Sequence, residues 1–153
     1  MPTPDFILKL RSRIGHDELW LPGVTAIVLR SDQVLLVRRA DNGQWTPVTG
    51  ICEPGEQPHI TAVRECAEET GVEVTVDRLL WVQAVGPVHY PNGDVASYMD
   101  TAFVCSFVSG DAQVADDESS DVAWFPVTKL PPMKERFRLL IERAVAGAEA
   151  GWG

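Results

Sequence analysis

Glu65, Glu68 and Glu69 crowd three carboxylates into five residues of a stretch patterned as a helix. At about 100° per residue, Glu69 lies about 40° to one side of Glu65 and Glu68 about 60° to the other, so all three share one flank. Like charges at these spacings repel by about 0.2–0.5 kcal/mol per pair on an exposed helix. Glu68 and Glu69 also stand in the last turn, where the helix dipole favours cations. Arg64, four residues before Glu68, offsets part of this cost. A bound Mg²⁺ or Mn²⁺ offsets more, because hard divalent cations take carboxylate oxygens. For an isolated helix, a solvated acidic face is the competing reading. The preceding loop shifts the balance: Glu53 and Glu56 add two carboxylates, and Gly50 and Gly55 allow close backbone approach to an ion or phosphate. The chemistry indicated is that of a divalent cation acting on an anionic substrate.

These carboxylates need a scaffold. The helix over residues 58–70 is punctuated by Pro58 in its first turn and Gly71 just past its end. Ile60, Ala62, Val63, Cys66, Ala67 and Thr70 form the arc predicted to pack on a sheet, beside the acidic flank. Upstream, β-rich runs at 24–30 and 33–39 flank Ser31-Asp32 and read as a hairpin, with a short segment at 45–48. Downstream, 72–85 holds one or two strands and 96–108 another; 110–121 is an acidic loop and 122–126 a short strand. Phe6, Ile7, Leu10 and Ile14 predict an N-terminal helix over about 4–14. Met133, Phe137, Leu140, Ile141, Ala144 and Val145 predict a terminal helix starting near Pro131. Residues 147–153 are expected to fray. After the first helix the order β-β-α-β-β-β-α implies an α/β fold with helices on both sides of a mixed sheet, in one domain over 1–153.

The bulk of the chain agrees. Its 153 residues, 45% apolar and 23% charged, fit a globular domain. With 13 Lys and Arg against 22 Asp and Glu, the net charge is −9. That sign argues against a nucleic-acid polymer or an anionic membrane as partner, but admits a small polyphosphate accompanied by cations. Cys52, Cys66 and Cys105 form no CxxC pair, so a reducing, cytoplasmic setting is expected. The N-terminus does not have the pattern of a signal peptide, and no apolar run approaches the roughly 20 residues a membrane span needs.

Residues 50–72 resemble the Nudix box, G-x5-E-x7-R-E-U-x-E-E-x-G-U, with U a bulky aliphatic residue. Gly50, Glu56, Arg64, Glu65, Glu68, Glu69, Gly71 and Val72 match in register; Cys66, at the first U position, departs. Trp45, the strand at 122–126 and the terminal helix also resemble the family's layout. Where many members read Pro-Gly-Gly on entering the box, this chain reads Val48-Thr49-Gly50. The resemblance implies a Nudix-like α/β/α sandwich with a central mixed β-sheet. It implies Mg²⁺- or Mn²⁺-dependent hydrolysis of a phosphoanhydride bond in a nucleoside diphosphate linked to another group, as in a nucleotide sugar, a modified nucleoside triphosphate or a dinucleotide. Glu65, Glu68 and Glu69 would ligate the metal with the carbonyl of Gly50, and Glu56 would pair with Arg64. A catalytically quiet nucleotide-binding regulatory domain is the alternative, and an isomerase of diphosphate-bearing isoprenoids a third.

The general base is left open between Glu65 and the acidic loop, where Glu118 is favoured over Asp116 and Asp117. Glu65, Glu68 and Glu118 are the catalytic candidates. Arg39 could hold a phosphate through charge-assisted hydrogen bonds. His89 and Tyr90, just before the Pro-Asn-Gly-Asp turn, are the other candidate substrate contacts. Two family rules compete here, Pro87 hinting at ADP-ribose and Tyr90 at dinucleoside polyphosphates, and neither decides. Trp20 and Trp81 read as core or interface aromatics, and the N-terminal helix with Trp20 would suit a homodimer as well as a monomer's edge.

Overall fold

The computed structural model describes residues 3–153; residues 1 and 2 of the expected domain lie outside them. In chain order the elements are α1 (Asp5–Ile14), β1 (Leu19–Arg30), β2 (Gln33–Arg39), β3 (Trp45–Thr46), β4 (Val48–Ile51), α2 (Pro58–Thr70), β5 (Glu73–His89), β6 (Val95–Ser109), β7 (Ser119–Pro126), α3 (Glu135–Val145) and β8 (Gly151–Trp152). They form an eight-stranded mixed sheet with β3-β2-β1-β6-β5-β8 as its main path. The α/β expectation holds.

One edge of β1 serves two strands. Residues Gly23 to Ala26 pair with β4, and Leu29 and Arg30 pair with β2, while the other edge runs parallel to β6. Sharing that edge brings the strand that enters the acidic loop (β4) close to the strand that ends in Arg39 (β2). The predicted hairpin turn is present, with Ser31 at a φ of 53°.

Strand alternation divides the core in two. Val24, Ala26, Leu35, Val37, Phe103 and Cys105 face Ala62 and Cys66 of α2. Ile27, Val34, Leu36, Ala102 and Val104 face Phe137, Leu140, Ile141 and Ala144 of α3. The sheet is therefore sandwiched between α2 and α3. A third, smaller cluster seats Ile7 of α1 on Leu19, Leu21 and Ala96. Arg11 ties that helix to the β5–β6 turn, donating to the Val95 carbonyl at 2.8 Å.

Three expectations are corrected. The helix α2 is rotated from the expected face: Thr61, Ala62, Glu65, Cys66, Glu69 and Thr70 are buried, whereas Ile60 and Ala67 are exposed. Two of the three glutamates thus point inward, because the backbone of Gly50 leaves room for one and Ser119 offers a partner to the other. The end of the chain, where fraying is expected, carries a short strand. Gly151 and Trp152 pair in parallel with Trp81 and Val82, Trp81 Nε1 donates to the Gly153 carbonyl at 2.8 Å, and the Arg143 guanidinium lies 3.9 Å from the Trp81 ring. The segment expected to be loop up to residue 121 becomes β7 from Ser119. Among the described residues, no helix is long and apolar enough to cross a membrane.

Candidate active site

The acidic flank is held by local structure at both ends of α2. Pro58 opens the helix, and Gly71, left-handed at a φ of 72°, donates its N–H to the Ala67 carbonyl and closes it. Pairing with Val24 puts the Gly50 backbone directly against Glu65. A Cβ at Gly50 would lie 2.3 Å from Cγ of Glu65, so no larger residue fits unless the glutamate leaves.

Arg64 organises the outer half of the flank. It grips Glu56 with two hydrogen bonds, from Nε at 2.7 Å and from Nη2 at 2.8 Å, the bidentate geometry in which guanidinium and carboxylate pair best. Its Nη1 reaches Glu65 Oε1 at 3.0 Å and Glu68 Oε2 at 3.2 Å. Thr61 adds a hydroxyl donor to Glu56 at 2.7 Å. Hydrogen bonding to Arg64 thereby lowers the Glu56 pKa to about 2.

The inner half is desolvated. Glu65 is 1% exposed and Glu69 4%. Burial pushes Glu65 up to about 8, with Arg64 opposing and Glu69 adding to the rise, and burial raises Glu69 as well. Glu69 accepts a hydrogen bond from Ser119 Oγ at 3.1 Å. Beside it, burial raises Glu118 to about 7, with Glu69 and Asp116 contributing. The Ala40 N–H donates to the Glu118 carbonyl, which fastens this loop to the end of β2. There Arg39 pairs with Asp41 through hydrogen bonds of 3.0 and 2.8 Å, with Glu69 close enough to stabilise its charge. An open cavity of about 450 Å³ lies along the exposed side, lined by Thr3 to Asp5, Glu53, Arg64, Glu68, and the loop at Ala115 and Asp116.

Glu65 Oε2 and Glu69 Oε2 are buried and have no hydrogen-bond partner. Such groups are costly in a folded protein, and each calls for an explanation. Two orphaned carboxylate oxygens on adjacent turns of a helix suit a hard divalent cation, which takes oxygen ligands. Among the described residues no three His, Cys, Asp or Glu side chains are already gathered at ligand geometry. Glu65 Oε1 and Glu68 Oε2 are turned toward Arg64 instead.

The structure brings Gly50, Glu56, Arg64, Glu65, Glu68 and Glu69 together, and sets Glu118 and Arg39 beside them. Tyr90 is half-buried with its hydroxyl against that of Tyr98, whereas His89 is exposed at the end of β5 and is not drawn into the cluster. Trp81 is occupied by Arg143 and the end of the chain, and Trp20 is exposed. Sequence reasoning missed Thr61, Asp41, Tyr98 and Ser119. Thr61 and Asp41 lie near residues already singled out, but nothing in the chain's pattern marks Ser119, which stands 50 residues from its partner.

The NUDIX domain family profile matches residues 19–144. The NAD-capped RNA hydrolase NudC of Pseudomonas putida (strain W619) is 34% identical over 130 residues, covering 82% of this chain and 44% of the relative. That of Vibrio cholerae serotype O1 is 34% identical over 139 residues, covering 88% of this chain and 49% of the relative. The chain thus spans under half the length of these curated relatives. A crystal structure of a UDP-X diphosphatase superposes with a TM-score of 0.70 at 21% identity, over 96% of this chain and 74% of that one. An ADP-ribose pyrophosphatase from Streptococcus suis gives 0.68 at 20% identity, over 87% and 98%. At these identities the two structures speak to the fold alone.

Proposed function

This chain belongs to the NUDIX domain family, and from that premise we propose that it hydrolyses a phosphoanhydride bond in a nucleoside diphosphate linked to a second group, with Mg²⁺ or Mn²⁺ as cofactor. The observation that carries the reading is the pair of buried, unpartnered carboxylate oxygens on Glu65 and Glu69. Glu65, Glu68 and Glu69, with the carbonyl of Gly50, would hold the cation. When bound, it supplies positive charge to the diphosphate and acidity to the attacking water.

The chain's own groups do the rest. The Glu56–Arg64 pair fixes the loop to α2, so that Gly50 stays pressed on Glu65. Arg39, oriented by Asp41, offers a guanidinium to a phosphate. Glu118 is the candidate general base: at about 7 its pKa suits accepting a proton from water near neutral pH. Tyr90 is the candidate contact for the organic part of the substrate. The three cysteines, buried and unpaired, fit a cytoplasmic setting.

Two curated relatives are named for NAD-capped RNA, so a dinucleotide belongs with nucleotide sugars and ADP-ribose among the substrates to test. The net charge of −9 favours the small dinucleotide over a polymer. A nucleotide panel assayed with Mg²⁺, with Mn²⁺ and with chelator is the direct test. Turnover that requires the cation and collapses in Glu68→Gln and Glu69→Gln is the expected result. Equal turnover in chelator would end this reading.

A further inference from the structure

Residues two apart on a strand share a face. β7 breaks this rule at its start: Ser119 and Val122, three apart, are both buried, while Ser120 and Asp121 between them are exposed. The pairing with β2 shows why. Arg38 pairs with Asp121 and Arg39 with Ser119, so Ser120 is one residue too many, a β-bulge. Its hydroxyl lies 3.4 Å from the Arg38 carbonyl. The extra residue turns Ser119 onto the α2 side of the sheet, where regular alternation would have put Ser120. There, 5% exposed, Ser119 donates its hydroxyl to Glu69 Oε1.

We propose that Ser119 is a positioning residue for the cation site, locking the Glu69 carboxylate so that its free oxygen stays presented to the cation. The terminal torsion of a glutamate is soft, so the plane of its carboxylate turns readily. A donor on Oε1 removes that freedom and leaves Oε2, which has no partner, as the ligand atom. The bulge is the device that delivers the donor: β7 and α2 are separate elements, and only the shifted register aims Ser119 at Glu69. Outer partners of metal ligands act in this way, orienting a ligand they do not replace. This inference rests on the metal reading above.

The test is Mn²⁺ binding in the absence of nucleotide, read from the free-ion paramagnetic resonance signal for the unmutated chain, Ser119→Ala and Ser119→Thr. Ser119→Ala is expected to weaken Mn²⁺ binding by about tenfold, and Ser119→Thr, which keeps the hydroxyl, to bind within about threefold of the unmutated chain. In turnover assays the alanine variant should need more Mn²⁺ for half-maximal rate, yet reach a similar kcat once saturated. A lower metal-free melting temperature with unchanged Mn²⁺ affinity would show that Ser119 only satisfies a buried carboxylate, and the proposal would fall. If the unmutated chain itself bound no Mn²⁺, the metal reading would fall first and take this inference with it.

Discussion

At the scale of single residues, the division of labour among the glutamates follows from their surroundings. Glu56 has an arginine and two further donors, and is held charged. Glu65 and Glu69 are buried with one oxygen each left over. Glu118, half-buried among other acids, is raised to about 7. If Glu118 is the base, kcat/KM should climb as pH rises through about 7, where that carboxyl gives up its proton. Glu118→Gln should lower the rate by about 10²-fold or more and remove that limb; a mutant that kept the same limb would hand the role to Glu65. Gly50→Ala makes a different point. Its methyl group would meet the Glu65 side chain, so we expect a stability loss of about 1–3 kcal/mol by denaturant unfolding together with weaker cation binding. The carboxylates of α2 were legible in the chain because their spacing on one helix is self-contained. Ser119 and Tyr98 were not, since their partners are supplied only by folding.

At the scale of elements, α2 shows how far periodicity reaches. The helix and both its ends were legible from Pro58, Gly71 and the apolar spacing. Its rotation was not, because hydrophobic pattern alone assigns glutamates to solvent, while the bare backbone of Gly50 and the hydroxyl of Ser119 draw two of them inward. The pairing of Glu56 and the burial of Glu65 have opposite, measurable consequences for stability against pH. Glu56, lowered to about 2, stabilises the fold fully above its ordinary value of 4.5, and that contribution disappears as pH falls through 2. Glu56→Gln should accordingly cost about 3 kcal/mol at neutral pH. Glu65, raised to about 8, has the opposite sign: its carboxyl is most easily buried when protonated, so stability is greatest below 4.5 and is lost as pH rises toward 8. Metal-free protein should therefore melt at a lower temperature at pH 8 than at pH 5. Saturating Mn²⁺ should lift the pH 8 value most, since the cation binds the charged form. A melting temperature independent of Mn²⁺ at both pH values would contradict a cation at Glu65. The β7 bulge belongs to this scale too. A register shift involves no residue of unusual type, and Ser119, Ser120 and Asp121 read from sequence as the end of a loop.

At the scale of the whole molecule, net charge bears on which of the proposed substrates would approach. The acidic cavity wall at Asp5, Glu53, Glu68 and Asp116 continues the sign of the whole chain, −9, and its arginine is occupied by Glu56. A small dinucleotide brings two phosphates, which bound cations can neutralise. An RNA carrying the same dinucleotide at its end brings many more, and these must cross a surface of like charge that the local cations do not cover. The curated relatives named for capped RNA are more than twice as long as the aligned region, so residues outside the match with this chain are available to them for handling the polymer. We therefore expect kcat/KM for a free dinucleotide to exceed that for the same dinucleotide capping an RNA at low ionic strength. Screening by salt, with a Debye length near 10 Å at 0.1 M, should raise the RNA rate toward the other. Measuring both substrates across salt at saturating Mg²⁺ checks this. A capped RNA preferred at low salt, with its rate falling as salt is added, would instead reveal attraction between this acidic chain and the polymer, and would place a basic docking path where net charge gives no reason to look for one.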